Sequence, residues 1–252
     1  MLRKTLFRKP LPRRTLLLAG CLLATGMLAG AALVANVSVA AFSSMTPGGR
    51  ITGLEPLRLG DARPTTYTLV TDGGQTVVRA EANNAASGLV RRIRIDPQQI
   101  PVLTWRWKAE NVLERGDITR RGGDDYPARI YVIFDYPVSR LSAADRVRYR
   151  ALQALGYRDV PTRALNYVWA NRASETRIVP NPFTDWVQMV PVRSGPAGLG
   201  QWHTETRNVA QDYRAAFGED PPNIVGIAIM TDSDNTRGRV VAYYGDIRMR
   251  PR

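Results

Sequence analysis

The sequence predicts an all-β protein, a jelly-roll-like antiparallel β-sandwich with two short helical insertions. Short segments that alternate apolar and polar residues recur along the chain, and turns rich in glycine, proline or aspartate separate them. Helical segments are few and do not follow each strand, which argues against a parallel sheet with crossover helices. The 252 residues are enough for one domain with a sizeable core, which we expect over residues 53–250.

The first 40 residues are predicted to form an export signal or an N-terminal anchor, followed by a short linker over residues 41–52. Six basic residues precede the uncharged run 15–35, and the segment Ser38-Val39-Ala40 fits a small-x-small cleavage site. This order of basic, apolar and small residues indicates export to the periplasm or another extracytoplasmic space.

Two alternatives to cleavage near Ala40 stay open. The apolar run has about 20 residues, which suffices for an uncleaved membrane anchor. The segment that ends in Cys21, LAGC, resembles a lipoprotein box, and Arg13-Arg14 resembles a twin-arginine signal. All three outcomes place the body outside the cytoplasm, and contact with a membrane is expected only through this segment.

Charge and cysteine content exclude several classes of function. The formal charge is +13, but removal of the six basic leader residues leaves 29 basic against 22 acidic residues, or +7. The remaining arginines are scattered, so no nucleic-acid partner is expected. Cys21 is the only cysteine, which excludes disulfides, thiol catalysis and cysteine metal sites in the body.

Strands are predicted wherever alternation and turn signals coincide. Segments 66–71 and 75–82 flank Asp72-Gly73-Gly74, the pattern of a hairpin whose turn needs positive φ. Ten strands are expected in total, at residues 66–71, 75–82, 88–95, 101–108, 128–136, 164–171, 175–180, 185–192, 223–232 and 239–249.

The two helices are predicted at 141–156 and 203–218. Ser142 and Asp145 have capping spacing at the start of the first. The second carries apolar residues at steps of four, at Val209, Tyr213 and Phe217. His203, the only histidine, is thereby placed at a helix start, where a capping or surface role is expected.

The tryptophans are candidates for the core or for a sugar-binding platform. In segment 101–108, one face of the predicted strand carries Leu103, Trp105 and Trp107, and the other carries Thr104, Arg106 and Lys108. The shared apolar face favours burial of Trp105 and Trp107. Trp202 follows a glycine-rich loop and is the tryptophan expected to be exposed.

Two acidic loops are the other candidate sites. Asp124 and Asp125 follow two glycines and precede a strand that carries Arg129. Adjacent carboxylates repel unless a cation compensates them, so this loop is either an ion-pair corner or a polar site at the edge of a sheet. The second loop follows an apolar strand and contains Asp232, Asp234 and Asn235.

Calcium is the one cofactor that the second loop suggests. Asp232 and Asp234 offer oxygen ligands at alternate positions, which suit a hard cation, although no glutamate closes the loop in the twelve-residue pattern. A solvated turn is the alternative. No spacing rule selects a pair of aspartates for acid–base catalysis.

Five blocks of sequence carry a family resemblance. In chain order, they are LTWRWK, GDDYPARIYVIF, NYVWAN, IAIMTDSDNT and AYYGDI. Together they resemble a domain-of-unknown-function family of exported bacterial proteins over roughly residues 53–249. The resemblance implies a periplasmic β-sandwich without an established activity. A weaker resemblance links Tyr244-Gly245-Asp246-Ile247 to the last strand of carbohydrate-binding jelly rolls, which is an analogy of fold.

We therefore expect a non-catalytic binding module for a glycan or another, anionic, component of the cell envelope. Both acidic loops would form its rim, Arg129 would orient anionic or hydroxyl groups, and Trp202 would stack on a sugar. Two alternatives remain: a hydrolase or lyase that acts on envelope polysaccharide through paired aspartates, and a structural envelope protein. The candidate ligand-binding residues are Asp124, Asp125, Arg129, Trp202, Asp232, Asp234 and Asn235.

Overall fold

The computed structural model describes residues 36–154 and 161–252. The leader up to residue 35, including Arg13-Arg14 and Cys21, lies outside the described residues, as does the predicted helix end at Gly156. Within the described residues, no helix has both the length and the apolar character needed to cross a bilayer.

The described residues contain thirteen strands and two α-helices. In chain order, they are β1 (Val37–Ala40), β2 (Glu55–Arg58), β3 (Thr66–Asp72), β4 (Gln75–Asn83), β5 (Ala86–Ile95), β6 (Val102–Ala109), β7 (Arg129–Phe134), α1 (Ala143–Ala154), β8 (Ala164–Ala170), β9 (Val179–Asn181), β10 (Thr184–Ser194), β11 (His203–Asn208), α2 (Val209–Phe217), β12 (Ile224–Asp232) and β13 (Arg239–Arg250).

These strands form two sheets, which confirms the predicted jelly-roll-like β-sandwich. The six-stranded sheet has the order β11-β6-β13-β4-β3, with β1 paired to the second half of β13. The seven-stranded sheet has the order β2-β5-β12-β7-β8-β10-β9. Neighbouring strands are antiparallel with one exception, because β8 and β10 run parallel.

The core lies between the sheets and is rich in aromatic rings. Trp105 and Trp107 on β6 are 1% and 0% exposed, so the alternation of this strand places them in the core as expected. Trp105 packs 5.4 Å from Tyr167 and Trp107 packs 6.2 Å from Trp169, ring centre to ring centre, which joins β6 to β8 of the opposite sheet.

A second, smaller core lies on the outer face of the seven-stranded sheet. Ile118 and Tyr126, from the loop between β6 and β7, pack there against Val168 and Met189. This loop buries β8 on both faces, so all seven residues of that strand are buried. The same packing fixes the position of the acidic residues at the end of the loop.

The sandwich begins earlier than the sequence suggests. Val37–Ala40 forms an edge strand on β13, and Phe42 is completely buried in the main core. Residues 41–52 were predicted to be a linker, but Phe42 within this segment is part of the core of the domain. Ala40, expected near a cleavage site, is 4% exposed within β1.

Both helices are present, and the second is shorter than predicted. Ser142 Oγ accepts a hydrogen bond from Asp145 N (3.1 Å), so the predicted cap of α1 is confirmed. His203 does not lie at a helix start: it begins strand β11, which pairs with β6. Helix α2 starts six residues later because Asn208 caps it, accepting from Gln211 N at 3.1 Å.

Candidate functional site

The two predicted acidic loops meet at one end of the sandwich. Asp125 Oδ1 accepts hydrogen bonds from the backbone N (3.3 Å) and side-chain Nδ2 (3.1 Å) of Asn235. Its Oδ2 accepts from Thr236 N at 2.5 Å. Carboxylate oxygens of Asp125, Asp232 and Asp234 lie within 4.8 Å of one another. We call Asp124, Asp125, Asp232, Asp234 and Arg129 the acidic cluster.

Arg129 is the centre of the acidic cluster. It is 1% exposed, and its Nε (2.9 Å) and Nη2 donate to the two carboxylate oxygens of Asp232. Nη2 also donates to the main-chain oxygen of Asp124 (2.5 Å), and Nη1 donates to the Tyr131 hydroxyl (3.1 Å). The Tyr126 ring centre lies 4.3 Å from the guanidinium carbon. The arginine is thus fully partnered, as a buried charge requires.

The remaining carboxylates are held by neutral groups from distant parts of the chain. Asp124 Oδ2 accepts from Asn181 Nδ2 (2.9 Å), and its buried Oδ1 lies 3.6 Å from Arg129 Nη1 without a hydrogen-bond partner. The main-chain oxygen of Asp125 accepts from Asn171 Nδ2 at 2.6 Å. These contacts tie the loop to β8 and β9.

Burial dominates the electrostatics of the cluster. It raises the pKa of Asp124 and Asp232, against the opposing effect of the Arg129 guanidinium. The pKa of Asp234 is also raised, first by burial and then by the neighbouring carboxylate of Asp125. One guanidinium faces four carboxylates, so the cluster keeps an excess of acceptors.

The structure places most of the predicted ligand-binding residues beneath the surface. Asp124, Asp125, Arg129 and Asp232 are 7%, 0%, 1% and 2% exposed. Asp234 and Asn235 are half-buried. This arrangement joins two loops and leaves few atoms for a ligand to contact.

A cation at the acidic cluster would compete with these contacts. Both oxygens of Asp232 already accept from Arg129, and Asp232 Oδ1 also accepts from Tyr126 N at 3.0 Å. Both oxygens of Asp125 accept from the turn that follows β12. Arg129 thus already supplies one positive charge to these carboxylates, and the calcium site stays a prediction.

Trp202 is different from the other tryptophans. All five lie in the described residues, and four of them, Trp105, Trp107, Trp169 and Trp186, are at most 1% exposed. Trp202 is half-buried and lies on the outer face of the six-stranded sheet, where its Nε1 donates to Asp72 Oδ1 (3.1 Å). The expectation that this ring is the accessible one agrees with its position.

Charged and aromatic side chains surround the Trp202 ring. The guanidinium carbon of Arg106 lies 4.5 Å from the ring centre, and Lys108 Nζ lies 5.5 Å from it. Tyr243 on β13 packs edge-on at 6.4 Å. Lys108 also lies 4.2 Å from the Tyr243 ring centre and forms an ion pair with Asp72.

A bulge in β13 makes room for Arg106. The pairing of β13 with β6 shifts register between Tyr244 and Ile247, opposite Arg106. A Cβ at Gly245 would lie 2.4 Å from Arg106 Cγ, so only glycine lets this side chain lie across the strand. The bulge also directs Asp246 outward, where it accepts from Ser43 N at 2.9 Å.

Beside Arg106, the same sheet face holds a cavity of about 280 Å³. Its lining is mostly polar and comes from β4, β6, β11, β13 and the turn after β1, namely Ser43, Gln75, Thr104, Trp105, Arg106, Thr204, Asp246 and Arg248. Hydroxyl, amide, carboxylate and guanidinium groups therefore converge there. We call this cavity together with Arg106, Lys108, Trp202 and Tyr243 the Trp202 surface.

The alternation of β6 contained a signal for this surface. Arg106 and Lys108 lie on the strand face opposite Trp105 and Trp107, as the sequence predicted, but were not singled out as site residues. Asp72 and Tyr243 reach this surface because β13 pairs with both β4 and β6, and no local pattern shows these pairings between distant strands.

The fold defines the protein as a β-sandwich of the jelly-roll-like class with a polar, aromatic-containing outer sheet face. The chain belongs to the family described as "Protein of unknown function (DUF3047)", whose model matches residues 53–248. No curated protein matches the chain in sequence.

Solved structures with similar architecture share little sequence with the chain. A variant of a family 29 carbohydrate-binding module is 8% identical, covers 85% of this chain and 90% of its own, and has a TM-score of 0.36. Another variant of that module, complexed with mannohexaose, is 9% identical over 85% and 89% of the two chains, with a TM-score of 0.36. The K1 cleaved adhesin domain of Lys-gingipain from Porphyromonas gingivalis W83 is 10% identical over 86% and 99%, with a TM-score of 0.39. At these values the likeness concerns architecture and carries no assignment of ligand.

Proposed function

We propose that the chain is a non-catalytic, exported binding module and that it binds a glycan of the cell envelope on the Trp202 surface. The observation that carries this proposal is the position of Trp202, the one partly exposed tryptophan among the five, on the sheet face that holds the polar cavity. Arg106 connects the two, since it contacts the Trp202 ring and lines the cavity.

The chemistry of the surface suits a sugar. An aromatic ring can cover the apolar C–H face of a pyranose, and hydroxyl and amide side chains can exchange hydrogen bonds with its hydroxyl groups. Thr104, Thr204 and Gln75 supply such groups without a net charge. Ligand sites typically combine a concave surface with a few polar groups that fix orientation, which is the composition seen here.

The proposed ligand site is the outer face of the six-stranded sheet, whereas the sequence predicted it at the two acidic loops. The acidic cluster has its polar groups directed at one another, and four of its members are buried. Its role in the proposal is to stabilise the loops. The proposal that the protein is exported depends on the leader sequence, which lies outside the described residues.

A glycan array with the purified full-length protein tests the proposal. We expect binding to at least one class of envelope saccharide and a loss of at least about fivefold in affinity for Trp202→Ala, since a stacked ring contributes about 1 kcal/mol or more. Titration calorimetry would give the affinities, and thermal melts would show that the variant is folded.

Phe183→Ala is the matched control for this experiment. Phe183 is 41% exposed and also has an arginine against its ring, Arg121 at 5.4 Å, but it belongs to the other sheet. We expect the saccharide affinity of Phe183→Ala to stay within twofold of that of the wild type. Absence of saccharide binding, or equal binding by Trp202→Ala and wild type, would overturn the proposal.

A further inference from the structure

Arg106 is an arginine without a polar partner in the described residues. Neither a hydrogen bond nor an ion pair of its guanidinium is found there, and its one specific contact is the Trp202 ring. The side chain is half-buried, so it is not simply extended into solvent. A guanidinium offers five N–H donors in a planar fork, and no acceptor for those of Arg106 is found among the described residues.

The position of Arg106 is fixed before any ligand arrives. Trp202 covers one side of the guanidinium. The aliphatic part of Arg106 packs on the backbone of the bulge at Gly245, where no Cβ is present. An arginine held in this way loses little conformational entropy when it binds a ligand, which increases affinity. Its donors are directed by the fold rather than by a bound acid.

The other charges of the Trp202 surface are paired with one another. Lys108 forms an ion pair with Asp72, and Arg248 Nη2 lies 3.1 Å from Asp246 Oδ2. Two positive and two negative charges thus cancel, and Arg106 contributes the remaining positive charge at the mouth of the cavity. Among the described charges of this surface, Arg106 is therefore the cation that no ion pair joins to a carboxylate, although its charge also contributes to lowering the pKa of Asp72.

We infer that the Trp202 surface binds an acidic saccharide, one that carries a carboxylate or sulfate on a sugar ring, and that Arg106 binds this anion. The inference rests on the proposed function and adds the chemical class of the ligand. A planar guanidinium matches a carboxylate with two parallel hydrogen bonds. The cavity of about 280 Å³ is at the small end of ligand sites, a size that suits one sugar unit beside this contact.

Matched pairs of oligosaccharides test the inference. We would compare oligogalacturonate with its methyl ester, and a glucuronate-containing oligosaccharide with its glucose counterpart, by titration calorimetry at low and high salt. The wild type should bind the charged member of a pair at least tenfold more tightly. This preference should decline as salt rises, because the anion–guanidinium contact is partly exposed to solvent.

Arg106→Gln should remove the preference and its salt dependence, so that the charged and neutral members of each pair bind with similar affinity. Arg106→Lys should recover part of the preference, since an ammonium keeps the charge but not the fork. Arg121→Gln is the control, because Arg121 also lies against a ring, that of Phe183, on the other sheet. It should keep the wild-type preference.

Three other outcomes are distinguishable, and they concern the class of ligand, the role of Arg106 and the proposed function. Equal affinity of the wild type for both members of every pair would overturn the acidic-saccharide inference and leave the proposed function standing. Survival of the preference in Arg106→Gln would overturn the role of Arg106. Absence of binding to charged and neutral saccharides alike would overturn the proposed function and this inference with it.

Discussion

Two arginines of this molecule each lie against an aromatic ring but differ in burial and in the hydrogen bonds of the guanidinium. Arg129 on β7 and Arg106 on β6 each lie against an aromatic ring, at 4.3 Å from Tyr126 and 4.5 Å from Trp202. Arg129 is 1% exposed, and its guanidinium donates to acceptors on three residues. Arg106 is half-buried, and in the described part of the chain its guanidinium donates to none.

The comparison shows that burial determines whether the donors of an arginine must be satisfied by the protein itself. A buried guanidinium must have its donors satisfied by the protein, because an unpaired one costs several kcal/mol. A partly exposed guanidinium can use water until a ligand arrives, so its donors stay available. We therefore propose that the acidic cluster stabilises the fold and that the Trp202 surface binds the ligand. The following experiments can separate these two roles.

The largest effect should come from Arg129→Met. The change leaves the buried carboxylates of Asp232 and Asp124 without their cation, and we expect a loss of about 3–5 kcal/mol in the free energy of unfolding. Urea denaturation at pH 7 measures it. Arg106→Gln is the comparison and should cost about 1 kcal/mol or less. Similar losses in the two variants would break the division.

A smaller effect is expected from Gly245→Ala, which acts on the half-buried Arg106 by removing the space in which its side chain lies. The added Cβ would displace the Arg106 side chain, so affinity for an acidic saccharide should fall about three- to tenfold while stability changes by about 1 kcal/mol or less. Gly122→Ala is the control, since a Cβ there has open space. A displaced Arg106 with unchanged affinity would argue against its proposed role.

The next effect is one of pH and concerns Asp234. Its pKa is raised in the folded state, so ionisation of this group destabilises the fold as pH rises through the folded pKa. Asp234→Asn should therefore increase stability at pH 7, by less than about 1 kcal/mol after solvent screening, and the gain should disappear below about pH 4. Urea denaturation across this pH range would show it.

Asp220→Asn is the control of opposite sign. The Arg214 guanidinium lowers the pKa of Asp220, so its ionised form stabilises the fold above the unfolded pKa. Its substitution should bring no gain at pH 7. A stabilising effect of both substitutions would show that the gain does not come from the repulsion between Asp234 and Asp125.

The smallest expected effect concerns calcium. Because Asp232 and Asp125 already accept hydrogen bonds on both oxygens, we expect the same melting temperature in calcium and in chelator. Differential scanning calorimetry measures this. A rise of several degrees with calcium, absent in Asp234→Asn, would instead assign a cation to the acidic cluster.

Local patterns predicted most of the fold and failed where pairing is distant. Alternation located β6 and the core positions Trp105 and Trp107, since the two faces of a strand differ in burial. It missed β11, whose exposed and half-buried residues precede α2 without an apolar face. The parallel pairing of β8 and β10 has no local signature, because either direction buries the same residues.

The candidate sites were predictable in part for the same reason. The sequence predicted that the two acidic loops form one rim, and the hydrogen bond from Asn235 Nδ2 to Asp125 Oδ1 shows that they meet. The burial of the first acidic loop was not predictable, because its hydrogen bonds come from the distant amides of Asn171 and Asn181. The free state of Arg106 likewise depends on a bulge and a crossing ring that only the assembled sheet provides.

The pairing of β1 with β13 gives the processing of the leader a structural consequence. Residues 247–249 take their backbone partners on one side from Val37–Ala40. A peptidase that cut after Ala40 would strip this partner away and leave an unpaired stretch of backbone next to the cavity. Such an open edge can accept a strand from another polypeptide. Cleavage at the predicted position would therefore change which backbone groups of β13 are open to pairing with another chain.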